Sequence, residues 1–113
     1  HRVDRRQRQM CIRDRDLDIA LKGQDVVMAL RIQHERFQNK ENLDKDSYIK
    51  NYQINNARLG IANDECIVMH PGPVNQGIEI SEDVYNSESS VILDQVANGV
   101  AMRMAILIKY LSQ

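Results

Sequence analysis

Aromatic side chains are scarce in this chain of 113 residues: tryptophan is absent, phenylalanine occurs once and tyrosine four times. Hydrophobic residues make up 42% of the sequence, enough for a modest core with few rings to anchor it, so the chain is one small globular domain or part of a larger one. An excess of charge is also lacking. Fifteen basic residues against sixteen acidic ones leave a formal charge of -1, which offers no general field for nucleic acid or an anionic membrane. Any anion must then be held by individually placed arginines. Cysteine is limited to Cys11 and Cys66, too few and too far apart for a metal-ligand spacing or a secreted disulfide framework, and a reducing cytoplasm fits best. The longest apolar stretch, Val100 to Leu111, is interrupted by Arg103 and Lys109 and is too short to span a bilayer.

The composition breaks near residue 16. Residues 1 to 15 carry Arg2, Arg5, Arg6, Arg8, Arg13 and Arg15 with almost no apolar periodicity, and no apolar core follows the charges as in a signal peptide. A basic nucleic-acid-binding arm is conceivable from arginine content alone. The favoured expectation is a non-native basic leader, because the run resembles translated adapter sequence; residues 16 to 113 then carry the fold.

From Asp16 a short helical end runs through Leu17 to Lys22 and stops at Gly23, and Val26 to Leu30 follows as a strand with no polar alternation, as in strands buried on both faces. The charged, asparagine-rich segment from Gln38 to Lys45 has no core pattern and reads as a mobile loop. A helix is expected from about Asp46 and Ser47, with Tyr48, Ile49 and Tyr52 at helical spacing, and another over Asn55 to Gly60. Cys66 to Met69 reads as a second short buried strand. Strand, helix, strand and a further helix is the pattern of parallel α/β architecture. The last helix shows an apolar stripe of Leu93, Val96, Val100, Met104, Leu107, Ile108 and Leu111, with Ser87, Ser89 or Ser90 as its expected cap.

Both prolines of the chain fall in one stretch, His70-Pro71-Gly72-Pro73-Val74-Asn75-Gln76-Gly77-Ile78-Glu79-Ile80. Two prolines and two glycines at these offsets define a stiff polar loop at the carboxyl end of a strand, and the prolines remove two amide donors and leave the backbone rich in acceptors. The Gly72-Pro73 bond is a candidate cis peptide. Arg31 also directly follows a strand. In an open α/β sheet ligands bind outside the carboxyl ends of the strands, so Arg31 is placed to fork onto a carboxylate, with Gln33 adding an amide donor. The residues alone leave open an Arg31–Glu35 surface pair, an ordinary strand-ending turn at Pro71, and an exposed Glu79. His70 reads as a hydrogen-bonded structural residue rather than a base.

Taken together, Leu30-Arg31-Ile32-Gln33-His34-Glu35-Arg36, the His70 to Ile80 stretch, and Gln95-Val96-Ala97-Asn98-Gly99-Val100-Ala101-Met102-Arg103-Met104-Ala105 closely resemble the catalytic chain of the aspartate carbamoyltransferase family, in its order and at about its spacing over residues 16 to 111. The resemblance implies the carboxy-terminal, aspartate-binding part of a doubly wound parallel α/β sheet, closed by a long carboxy-terminal helix that crosses back to an amino-terminal domain. It implies that Arg31 and Gln33 bind L-aspartate, that the backbone of Pro71, Gly72 and Pro73 contacts the carbamoyl group, and that Glu35, Arg36 and Glu79 serve loop closure.

The implied reaction joins carbamoyl phosphate and L-aspartate into N-carbamoyl-L-aspartate and phosphate, an early step of pyrimidine biosynthesis, without metal or organic cofactor. The family's Ser-Thr-Arg-Thr phosphate-binding motif is nowhere in these 113 residues, so the chain alone is expected to be inactive. A full-length homotrimer in the cytoplasm is implied, with regulatory subunits left open. One position departs from the pattern: Gln76 stands where the family carries arginine. The alternatives are ornithine carbamoyltransferase, whose cysteine-containing loop after the histidine is replaced here by Pro71, and a non-catalytic structural or regulatory homologue.

Overall fold

A computed structural model describes residues 16–32 and 44–112. The expected loop at Gln38 to Lys45 lies outside these residues except for its end. The first helix among these residues, α1 (Leu17–Leu21), starts where the Asp16 side chain accepts from the amides of Asp18 and Ile19, and buries Leu21. An aspartate at this position satisfies amides that the first helical turn leaves without partners. The chain then turns at Gly23, whose φ of +67° suits a residue without Cβ.

Strands β1 (Val26–Met28) and β2 (Ile67–Met69) pair in parallel, with Val26 opposite Ile67, Val27 opposite Val68 and Met28 opposite Met69. On the other side of β2, Val68 donates to the Ser89 carbonyl at 2.8 Å and accepts from the Val91 amide at 3.0 Å. Val68 is thereby fully enclosed. Among the described residues the β1-to-β2 crossover holds α2 (Lys45–Tyr52), begun by Asp44 rather than at the expected Asp46 or Ser47, and α3 (Asn56–Leu59), capped by the Asn55 side chain on the Arg58 amide. A parallel pair needs such a crossover, because no tight hairpin returns a strand to the same direction. The α/β class with a parallel sheet and a long final helix is what the sequence predicts.

Arg58 locks this crossover. Its guanidinium donates to the carbonyls of Lys50 and Gln53 at 2.8 and 2.9 Å, and its Nε meets Asp18 at 2.8 Å. The last carbonyls of α2 are thus satisfied by a side chain, and α1 is tied to the same group.

Beyond β2 come α4 (Glu82–Tyr85), capped by Ser81 on the Val84 amide, and α5 (Ile92–Leu111). The core joins Leu21 of α1, Val27 and Val68 of the sheet, Cys66, Ile54, Ile80, Val84 and Ile92. Two expectations fail. The strand at Val26 to Leu30 is not buried on both faces: Val27 points into the core, whereas Val26 and Met28, one residue to either side, point to the opposite face and stay exposed. A strand alternates its side chains, and among the described residues only one face of the pair is covered. The serine cap of the last helix also fails, since Val91 occupies the cap position without a side-chain bond and Ser87 bonds back to the Val84 carbonyl. The expected apolar stripe of α5 is exposed along its length, and only Ile92 at its start is buried.

Candidate functional site

The parallel register sets the site. Because Met28 lies opposite Met69, the segments leaving the two strands emerge side by side, and the Ala29 amide extends the ladder to the Met69 carbonyl at 3.0 Å. Arg31 is three residues beyond β1 and Pro71 two beyond β2, so both candidate segments stand at the carboxyl ends of neighbouring strands. Arg31 is exposed. Asn75 ties the two together: its side-chain amide donates to the Ile32 carbonyl at 3.2 Å, across 43 residues of sequence.

The second segment is shaped by an unusual backbone. Gly72 has a φ of +69°, and the Gly72–Pro73 peptide is cis, as the sequence suggests. A Cβ on Gly72 meets nothing within 4 Å, so the requirement for glycine comes from its left-handed conformation rather than from space. Pro71 and Pro73 are exposed, and no described residue donates to the carbonyls of Pro71 or Gly72. Among the described residues both oxygens are thus left as acceptors.

Beneath this loop sits a buried pair. His70 and Glu79 are 0% and 1% exposed, and His70 Nε2 lies 3.1 Å from Glu79 Oε1. The amide of Gly72 donates to His70 Nδ1 at 2.8 Å, so Nδ1 carries no proton and Nε2 holds the N–H aimed at Glu79. The same Glu79 oxygen accepts from the Asn75 amide at 2.8 Å, while Oε2 has no partner among the described residues. His70 is fixed from a third direction, its own amide donating to the Gln95 side chain of α5 at 2.9 Å. The exposed-acid alternative for Glu79 thus fails, and His70 is the hydrogen-bonded structural residue expected. Nearby, burial first, then the Glu79 carboxylate, then Tyr52 push the Tyr48 phenol up.

The candidate residues Gln33, Glu35 and Arg36 lie outside the described residues, as does His34. Gln76 is exposed and bridges to Ile80 in the turn around Gly77, where φ is +79°. The sequence reading missed Asn75 as a brace and Gln95 as an anchor. Neither residue type signals such a role, since an asparagine before a glycine-containing turn is usually a local turn former. Among the described residues there is no group of three or more histidine, cysteine, aspartate or glutamate side chains placed to hold a metal. No helix among them is long and apolar enough to cross a membrane. Chemically the site offers the exposed Arg31 and two carbonyls without a donor among the described residues, a set suited to a small ligand with both a carboxylate and an amide N–H.

Known proteins are similar to this chain over most of its length. The family model described as aspartate/ornithine carbamoyltransferase, Asp/Orn binding domain, matches residues 2–110. The aspartate carbamoyltransferase catalytic subunit of Endomicrobium trichonymphae is 49% identical over 92 residues, 81% of this chain and 30% of that protein. Among solved structures, the aspartate transcarbamoylase of Trypanosoma cruzi in complex with carbamoyl aspartate and phosphate is 32% identical, with a TM-score of 0.64 over 80% of this chain and 27% of that one. The ornithine carbamoyltransferase from Pyrococcus furiosus is 27% identical, with a TM-score of 0.71 over 82% of this chain and 29% of that one. The chain spans about 30% of the length of the curated relatives it matches.

Proposed function

The chain belongs to the aspartate/ornithine carbamoyltransferase family, and we propose that it supplies the amino-acid-binding part of an aspartate carbamoyltransferase. In that reaction the amine of L-aspartate attacks the carbonyl carbon of carbamoyl phosphate. A C–N bond forms, the C–O bond to phosphate breaks, and the amine gives up a proton. The reading rests on one observation above all: the register of β1 and β2 and the Asn75–Ile32 hydrogen bond bring the segment that carries Arg31 and the loop that carries Pro71 and Gly72 to the same sheet edge. Arg31, with Gln33, binds the aspartate carboxylates, and the two carbonyls accept from the carbamoyl NH2, so that nucleophile and electrophile meet at one sheet edge. Holding both reactants in place is what these residues contribute to the rate.

Aspartate is favoured over ornithine because four curated relatives at 45 to 49% identity are aspartate carbamoyltransferase catalytic subunits. Glu35 and Arg36 belong in this reading to the segment that closes over aspartate, with Glu79 bracing it from below. The phosphate-binding groups come from outside these 113 residues, and the complete enzyme acts as a cytoplasmic homotrimer in pyrimidine biosynthesis.

The test joins this chain to the amino-terminal part of the Endomicrobium trichonymphae relative and follows carbamoyl phosphate consumption with aspartate and, separately, with ornithine. Turnover with aspartate alone is expected. In the joined enzyme Arg31→Ala raises the aspartate KM roughly ten- to hundred-fold, the worth of one charged hydrogen bond at about 1.4 kcal/mol per tenfold. Arg31→Lys recovers little of this, because an ammonium cannot copy the planar two-pronged contact. An unchanged aspartate KM in Arg31→Ala, or turnover with ornithine only, sinks the reading.

A further inference from the structure

We infer that His70 and Glu79 are positioning residues that aim the Pro71 carbonyl at the carbamoyl group, an inference that rests on the reaction proposed above. One peptide plane fixes the geometry. Only Gly72–Pro73 is cis among the described residues, so the Pro71–Gly72 peptide is trans and its C=O and N–H point in opposite directions. The N–H of Gly72 is held by His70 Nδ1 at 2.8 Å, on the buried side. The Pro71 carbonyl must therefore face away from the buried imidazole, towards the side on which Pro71 is exposed. The direction of this acceptor is set by a histidine nitrogen that has to be unprotonated.

Glu79 selects the tautomer that leaves that nitrogen bare. An imidazole in its neutral form carries one N–H, and a carboxylate oxygen 3.1 Å from Nε2 draws that proton to Nε2 and away from Nδ1. The same oxygen accepts from Asn75 N at 2.8 Å, and Asn75 reaches across to Ile32, next to Arg31. One buried carboxylate thus fixes the tautomer that directs the carbamoyl acceptor and also anchors the brace to the aspartate-binding segment. A free carbonyl on a mobile turn lacks this advantage, since its direction must be fixed anew in each catalytic cycle. No general-base step is assigned to His70, whose Nδ1 is occupied by a backbone amide.

The test has two arms. In the isotope-labelled chain itself, long-range proton–nitrogen correlations of the imidazoles are recorded, with His70→Asn identifying the His70 signals. The Nε2–H tautomer is expected at neutral pH, and an Nδ1–H tautomer or a doubly protonated ring overturns the inference. In the joined enzyme, carbamoyl phosphate KM and kcat are measured with whichever of aspartate or ornithine serves. His70→Ala removes the acceptor for the Gly72 amide and is expected to raise the carbamoyl phosphate KM at least tenfold. His70→Asn offers its side-chain oxygen near the Nδ1 position and recovers most of that loss, although it gives up the contact with Glu79. Equal kinetics for folded His70→Ala and the unsubstituted enzyme, or equal defects in the Ala and Asn variants, overturn the inference. If neither amino acid supports turnover in the unsubstituted joined enzyme, the proposed reaction falls, and the imidazole spectrum still decides whether His70 holds Gly72 as argued.

Discussion

Cys66 lies in the core immediately before β2, where burial pushes its thiol up, the Asp25 carboxylate adds to this, and a hydrogen bond with the Val27 backbone partly opposes it. The folded chain therefore keeps a proton that the unfolded chain releases above an ordinary thiol pKa of about 8.5. A state that binds more protons loses ground as pH rises, so this contribution is fully present below about pH 8.5 and declines above it. Tyr48 is also pushed up, but its ordinary value is 10.0, which leaves the interval between to Cys66. Urea unfolding midpoints are expected to fall between pH 8 and pH 10, and to fall less in Cys66→Ala measured over the same range; parallel pH slopes for the two chains contradict the account. The folded chain should also leave Cys66 unreactive towards thiol reagents at pH 8, with reaction appearing on unfolding. At this scale the sequence was legible where chemistry and spacing coincide, as for Arg31 after a strand and the paired prolines. It was not legible at Glu79, because nothing in nine residues of separation says that His70 will fold back onto it inside the core.

The final helix shows how far an element can be read without its surroundings. Its existence follows from a 3.6-residue apolar period over some twenty positions, and so does its length. Which residues are buried does not follow, because burial belongs to the partner surface and not to the period. Within the described residues only Ile92 enters the core, at 3% exposure, whereas Val100, Met104 and Leu107 are 52%, 58% and 57% exposed. Ile92→Ala is therefore expected to destabilise the chain by about 2 to 5 kcal/mol, the usual range for truncating a buried aliphatic side chain. The double variant Val100→Gln and Leu107→Gln should change stability by no more than about 0.5 kcal/mol per site, as at ordinary exposed positions. Chemical denaturation of the two variants beside the parent measures both, and a comparable loss in the double variant contradicts the packing described here. The strand at Val26 teaches the same lesson: its apolar run suggested burial on two faces, and alternation buries one.

At the scale of the molecule, the order strand, helix, strand, helix was enough to give parallel α/β architecture, since a parallel pair requires a crossover of this length. The sequence did not show that Asn75 bridges the two strand ends, a contact created only when the register brings residues 32 and 75 together. The arginine-rich stretch of residues 1 to 15 raises a question of its own, because the family model matches from residue 2 while sequence composition breaks near residue 16. A native family segment and a foreign leader make opposite forecasts. Among the described residues, which begin at Asp16, the core runs from Leu21 to Ile92. A run rich in arginine without apolar periodicity has little to bury, and the conformational entropy lost on ordering it has no compensating gain. Deleting residues 1–15 is therefore expected to leave the circular dichroism spectrum and the thermal midpoint of the remaining chain unchanged. A midpoint lowered by several degrees, on the order of 1 kcal/mol for a domain of this size, instead assigns the stretch to the fold and makes it part of the family segment.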